Sequence, residues 1–203
     1  LSSSSYDHGR GLTTGLDGSI YIAGDTEGDL DGQTNSGNYD AFISKITYLS
    51  APIDISLSSE NFNENINAAS TVATLSTTDP DSSDTHTYSL VTGTGSGDNA
   101  SFTIDGSSLK VNSSPDYETK SLYSATITAN DGTSSSTQDI TVNINNLNDN
   151  NPSFSSNATF SVEENKTAIG TVTATDADGD AATFSISGTE LEITSAGILS
   201  FIS

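Results

Sequence analysis

Cysteine is absent from this 203-residue sequence, and so are methionine and tryptophan. Without cysteine there is no disulfide, no thiolate metal site and no cysteine nucleophile. Basic residues are scarce: 5 Lys and Arg stand against 27 Asp and Glu, for a net charge of -22. Such a surface repels nucleic-acid phosphates and anionic membranes, which makes both poor partner candidates. It also repels itself, so divalent cations are the first partners to test. Only two histidines, His8 and His86, are available for acid–base chemistry. No apolar run approaches the ~20 residues of a membrane span, so no membrane insertion is expected. The N-terminal LSSSSYDHG is not a signal peptide, and the chain begins without Met. The expectation is an internal piece of a longer polypeptide.

Apolar content is low, 32%, while Ser, Thr, Gly, Asn and Asp abound. That mixture favours turn-rich β-structure over disorder, because the apolar residues recur in short alternating runs. Tyr123, Ala125, Ile127 and Ala129 alternate with small polar residues, as do Ile140, Val142 and Ile144. Shorter pairs follow the same period of two: Tyr88 with Leu90, Phe102 with Ile104, Leu109 with Val111, Phe160 with Val162, and Phe184 with Ile186. Turn clusters such as DPDSSD, GTGSGDN and DGSS separate them. Helix signals are almost missing, so the class is all-β, with strands spaced as in a sandwich.

The chain repeats itself. Residues 62–111 run FNEN, TVATLSTTDPD, YSL and FTIDGSSLKV, and residues 160–201 run FSVEEN, IGTVTATDAD, FSI and LEITSAGILSF in the same order. Glu64-Asn65 and Glu164-Asn165 lie 100 residues apart, about one sandwich domain. The second copy stops halfway, so its remaining strands are expected elsewhere. The expected domains are 1–48, 49–150 and 151–203.

The repeat resembles a cadherin-type repeat in its bacterial, cadherin-like form. Glu64-Asn65 lies near the first strand, Asp79-Pro80-Asp81 forms a D-x-D turn, Asp116-Tyr117-Glu118 stands for D-R-E, and Ala129-Asn130-Asp131 for A-x-D. The stretch 146–152, NLNDNNP, matches the linker D-x-N-D-N-x-P, after which Glu164-Asn165 and Asp176-Ala177-Asp178 restart the series. Residues 6–46, through LDGSIYIAG, GDLDG and YDAFISKI, resemble one copy of a bacterial seven-bladed β-propeller repeat. The resemblances imply tandem Greek-key, Ig-like β-sandwiches after a single propeller-type blade.

They also imply calcium. This hard cation takes 6–8 oxygens from carboxylates, amides and main-chain carbonyls, and Asp and Asn hold such oxygens close to the backbone. Carried over position by position, Glu64, Asp116, Glu118 and Asp149 would hold ions on the repeat 1 side, with Asn146 and the Leu147 carbonyl. Asn148, the Asn150 carbonyl, Asp176 and Asp178 would hold an ion on the repeat 2 side. Asn146 replaces the family's first linker Asp, which removes a charge and should weaken one ion. Upstream of repeat 1 the junction TYLSAPIDIS has no amide-rich linker. Asp79, Asp81 and Asp131 therefore have an incomplete partner set, and an ion there would be weak or replaced by hydrogen bonds.

Other readings fall away. Asp176-x-Asp178-x-Asp180 opens like an EF-hand loop, but Ala181 stands at the required Gly and Ser187 at the closing Glu. Asp25, Glu27, Asp29 and Asp31 read as exposed loop acids. Asn99-Ala100-Ser101 and Asn112-Ser113-Ser114 fit a glycosylation sequon, which bacterial repeats would leave idle. No nucleophile elbow, phosphate-cradling loop or paired-carboxylate signature singles out a catalytic site, so no enzyme is expected. The expected protein is a segment of a large extracellular bacterial surface protein in which calcium rigidifies the linker. The alternatives are an adhesin module recognising glycans or other copies of a surface protein, and an accessory region of a secreted polysaccharide-active enzyme.

Overall fold

The computed structural model describes residues 6–16, 18–30, 34–35, 37–46 and 49–202. Two compact units emerge: one comprises Leu1–Asp54 with Thr78–His86 and Asn130–Ser136, the other Ile55–Thr77, Thr87–Ala129 and Thr137–Ser203.

The first 46 residues contribute an antiparallel three-stranded sheet in the order β1 (Asp7–Thr14), β2 (Ile20–Thr26), β3 (Asp40–Ile46). β2 (IYIAGDT) and β3 (DAFISKI) each carry a short apolar run. β1, DHGRGLTT, has no such run, and every one of its residues is exposed. It is a strand because β2 offers its free edge, with Leu12 opposite Ile22 and Thr14 opposite Ile20. Gly24 of β2 cannot be larger: a Cβ there would meet the His8 carbonyl at 2.2 Å and the Phe42 ring at 2.7 Å. Asp31 lies outside the described residues.

Two four-stranded sheets then enclose the main core. One orders β4 (Asp54–Leu57), β6 (Thr71–Thr78), β9 (Ser108–Val111) and β8 (Phe102–Asp105); the other orders β5 (Asn61–Asn63), β11 (Ser135–Asn145), β10 (Leu122–Asn130) and β7 (Thr87–Leu90). Pairing is antiparallel where β9 meets β6 and β8, but β5 runs parallel to β11. The chain passes from the first sheet to the second between β4 and β5 and returns between β5 and β6. The expected period of two is what fills the interior: Ala125, Ile127 and Ala129 face Leu109, Val111, Phe102 and Leu75, alongside Ile140, Val142 and Ile144. Leu109, Ala125, Ile127 and Ala129 have no exposed surface. Each fully buried aliphatic side chain of this kind contributes about 1.5–3 kcal/mol.

Residues 151–202 hold β12 (Ser153–Phe154) paired with β14 (Ala174–Thr175), and a sheet of β13 (Ala168–Thr171), β16 (Ile198–Phe201) and β15 (Leu191–Ile193). Here the alternation misleads. Phe160 with Val162 and Phe184 with Ile186 are predicted as strands, yet both segments are irregular. A strand without a neighbour has no partner for its N–H and C=O groups, so alternation alone does not make one. Phe154, Ile198 and Ile202 stay 73%, 53% and 52% exposed.

Candidate metal centre

Local backbone chemistry sets up the acidic side chains. After β5, Asn65 adopts a left-handed conformation, φ 61°, as Asn165 does at φ 66°. Asn tolerates that region better than most residues, which explains why Glu is followed by Asn in both repeats. The turn sends Glu64 inward, where it is 2% exposed. Its carboxylate accepts the Tyr117 N–H at 2.8 Å and the Leu147 N–H at 2.6 Å. One buried acid thus ties the 116–118 turn to the start of the linker. Asp116 closes its own turn by accepting the Thr119 hydroxyl at 2.8 Å and the Thr119 N–H at 3.2 Å. Those two bonds, the hydroxyl first, hold its carboxyl below the ordinary range.

Two groups of carboxylates meet at this end of the sandwich. Glu64, Asp116 and Glu118 bring one oxygen each within 4.8 Å of one another, and so do Glu118, Asp149 and Asp178. Glu118 belongs to both. Loss of water pushes its carboxyl above the ordinary range, and the nearby Glu64 and Asp178 push it further. Asp178 is displaced the other way, held down chiefly by the Asn150 side-chain amide. Acids crowded in this way lack countercharge, and the donors are all hard oxygens. The set therefore fits a hard divalent cation such as calcium. Glu64, Asp116, Glu118, Asp149 and Asp178 could hold it, and the ion would supply the missing positive charge.

The linker residues are engaged differently. Leu147, expected through its carbonyl, donates its N–H to Glu64. Asp149 and Asn150 donate their main-chain N–H groups to Asp178 Oδ2 at 3.1 and 2.8 Å. The Asn150 side-chain amide reaches Asp178 Oδ1 at 3.0 Å. Asn146 Nδ2 donates to the Asp178 carbonyl at 2.9 Å, and Asn148 Nδ2 to the Asp180 carboxylate. Asp176 turns inward on its own loop and accepts the Asp178 N–H at 2.9 Å; it joins neither carboxylate group among the described residues.

The upstream D-x-D loop folds by the same turn, with Asp79 accepting the Asp81 N–H at 2.9 Å. Asp79, Asp81 and Asp84 form a third group within 4.8 Å. Protein donors already serve two of them. His86 Nε2 lies 2.9 Å from Asp79 Oδ2, with side chains 12% and 3% exposed, and Asp81 accepts the Ser50 N–H at 2.6 Å. His86, followed by the Asp81 N–H, holds the Asp79 carboxyl low. Asp131 stands outside the groups found among the described residues. One of its oxygens accepts the Thr133 and Ser134 N–H groups, each at 2.6 Å, while the other is buried without a hydrogen-bond partner.

Sequence reasoning missed four participants: Asn65, whose amide donates to the Asp149 carboxylate, and Asp84, His86 and Asp180. Asn65 had a signal in its pairing with Glu64. Asp180 had one in the D-x-D-x-D spacing. His86 and Asp84 became partners only through the fold of their loop.

Comparison with known proteins places these features. Residues 58–145 match the cadherin domain family model. Human protocadherin Fat 4 is 35% identical over a 125-residue alignment that covers 58% of this chain and 2% of that much longer protein. Among solved structures, mouse cadherin-23 EC22-24 aligns over 90% of this chain and 63% of its own, with a TM-score of 0.58 and 22% identity. Human protocadherin-24 EC1-2 aligns over 75% and 78%, with a TM-score of 0.58 and 21% identity. The human desmocollin-1 ectodomain aligns over 90% and 40%, at 0.59 and 20%. At such identities the structures establish the fold: an all-β, cadherin-like sandwich. Cadherin domains are extracellular, calcium-binding adhesion modules and not enzymes, and among the described residues no helix is long and apolar enough to cross a membrane. In this chain the similarity to that family model is confined to residues 58–145.

Proposed function

We propose that the chain is a segment of a large extracellular surface protein, bacterial in origin, in which calcium at the 146–152 linker fixes one repeat against the next. The supporting observation is Glu118, which shares one carboxylate group with Glu64 and Asp116 and another with Asp149 and Asp178. Cations placed in the two groups would be joined by a common ligand, and would connect repeat 1, the linker and the acidic loop of repeat 2. The ligands in this reading are Glu64, Asp116, Glu118 and Asp149, then Asp178 and the oxygens of Asn146, Leu147, Asn148 and Asn150, with Asp176 shaping the loop. Asp79, Asp81 and Asp131 would hold an ion weakly, because protein donors already occupy most of their oxygens.

The domains in this reading are 1–48, 49–150 and 151–203, the first a propeller-type repeat consistent with the β1–β2–β3 meander. The role is mechanical: without the ion the acids repel one another, and with it the joint stiffens and the folded state gains stability by mass action. Millimolar extracellular calcium would fill even weak sites. Small-angle scattering in calcium and in chelator, on a polypeptide carrying two complete repeats, tests this. Calcium should lengthen and stiffen the particle, and Asp149→Ala should abolish the difference. A maximum dimension that ignores both calcium and the substitution would defeat the proposal.

A further inference from the structure

β10 is longer than its outer neighbour: it runs nine residues, Leu122–Asn130, while β7, Thr87–Leu90, runs four. Past β7 one more backbone bond joins the two segments, from the Val91 N–H to the Thr126 carbonyl at 3.0 Å. Residues 92–95 then leave the strand path, and side chains take over. Asn99 Oδ1 accepts the Thr126 N–H at 3.0 Å, while Asn99 Nδ2 donates to the Val91 carbonyl at 2.7 Å. That one carboxamide offers Thr126 and Val91 the acceptor and donor that a peptide group would offer. Two residues back along the same edge, the Ser124 N–H donates to Asp98 Oδ2 at 2.9 Å, and Asp98 Oδ1 accepts from the Lys120 ammonium. Glycines let the loop sit this close. A Cβ at Gly93 would meet Thr126 Cγ2 at 2.8 Å, and one at Gly95 would meet the Asp139 carboxylate carbon at 2.6 Å. Neither Asp98 nor Asn99 belongs to the carboxylate groups of the candidate metal centre.

A strand edge with unpaired N–H groups is a template for a further strand. We infer that Asp98 and Asn99 guard this edge, closing Leu122–Thr126 against pairing with the same stretch of a second copy of the chain. Two features single out that occupant. An antiparallel pair of identical strands is self-complementary about a two-fold axis, so a second copy brings its own matching donors and acceptors. The stretch LYSAT, 122–126, also holds no charged residue in a chain of net charge -22, so it adds nothing to the repulsion between copies.

The test compares the full 203-residue chain with its double variant Asp98→Ala, Asn99→Ala. Hydrogen exchange followed by NMR should show the Ser124 and Thr126 amides at least about tenfold faster in the variant. Ala125, whose N–H points to the other side of the strand, should stay protected and so report an intact sandwich. In sedimentation the variant should self-associate at a concentration at least about tenfold lower than the unsubstituted chain. Adding Ser124→Pro, which removes an edge N–H and obstructs a further strand, should return association to the unsubstituted level. Unchanged exchange at Ser124 and Thr126 would overturn the guard. So would faster exchange with no gain in association, or association that Ser124→Pro leaves in place. If Ala125 also loses protection, the sandwich has opened, and Asp98→Ala alone, read at Ser124, carries the same three outcomes.

Discussion

Replacing Glu64 by glutamine separates its two roles, as a buried hydrogen-bond acceptor and as a candidate metal ligand. Glu64 is 2% exposed and accepts the N–H groups of Tyr117 and Leu147. Glutamine has almost the same shape but only one acceptor oxygen, so its NH2 must face one of those N–H groups. One charge-assisted hydrogen bond is lost and a donor is left unpaired, which costs about 1.5–3 kcal/mol. The lost charge also relieves repulsion from Asp116 and Glu118, whose oxygens lie within 4.8 Å. At a water-like dielectric that relief returns about 1 kcal/mol. The net expectation in EGTA is a loss of about 0.5–2 kcal/mol, or roughly 2–16 °C in Tm for a domain of this size. In calcium the gap should widen. A ligand at 100 times its Kd stabilises by about 2.7 kcal/mol, and a tenfold weaker Kd removes about 1.4 of it. Paired thermal melts of Glu64→Gln and the unsubstituted chain, in EGTA and in millimolar calcium, measure both terms. An unchanged Tm in EGTA would refute the acceptor role, and a gap of equal size in both buffers would refute the ligand role.

Two further predictions address the sandwich itself. Leu109, with no exposed surface between the sheets, should lose about 2–5 kcal/mol as Leu109→Ala, seen as a lower urea midpoint with an unchanged slope; a loss below 1 kcal/mol would mean the core closes over the cavity. Asp139 accepts the Thr126 hydroxyl at 2.6 Å and the Thr94 hydroxyl at 2.7 Å, and these bonds hold its carboxyl low. A lowered carboxyl contributes stability that is present above the ordinary carboxylate range and fades as pH falls through the lowered value. Asp139→Asn should therefore be less stable at neutral pH and lose less on acidification, and denaturation curves running parallel to the unsubstituted chain from pH 7 to pH 3 would contradict this.

The strands of repeat 1 were legible because period-two alternation is a one-dimensional signal of a face that must be buried. Ala125, Ile127 and Ala129 against Ile140, Val142 and Ile144 needed no structure to be assigned inward. The same signal at Phe160 with Val162 and Phe184 with Ile186 produced no strand, because alternation describes a face and says nothing about whether a neighbouring strand exists. β1 shows the reverse case, a strand without alternation that forms only because β2 presents an edge. The acidic residues were legible as a set through their ordered motifs. Their division of labour was not, because a carboxylate reads the same whether it faces another acid, a backbone N–H or an imidazole. Asp79 buried against His86 and Asp178 clipping the linker are facts of proximity between residues far apart in the chain.

The sequence by itself determined the all-β class, the repeat, the acidic charge and the hard-oxygen chemistry at 146–150. Composition and period fix which side chains must be buried and which ligand types are available. Only the tertiary structure decided that Glu118 belongs to two carboxylate groups and that Glu64 is a buried acceptor. It also decided that Asn146 gives its amide to the Asp178 carbonyl. Those roles depend on distances of a few ångströms between segments tens of residues apart, and no local pattern encodes such a distance.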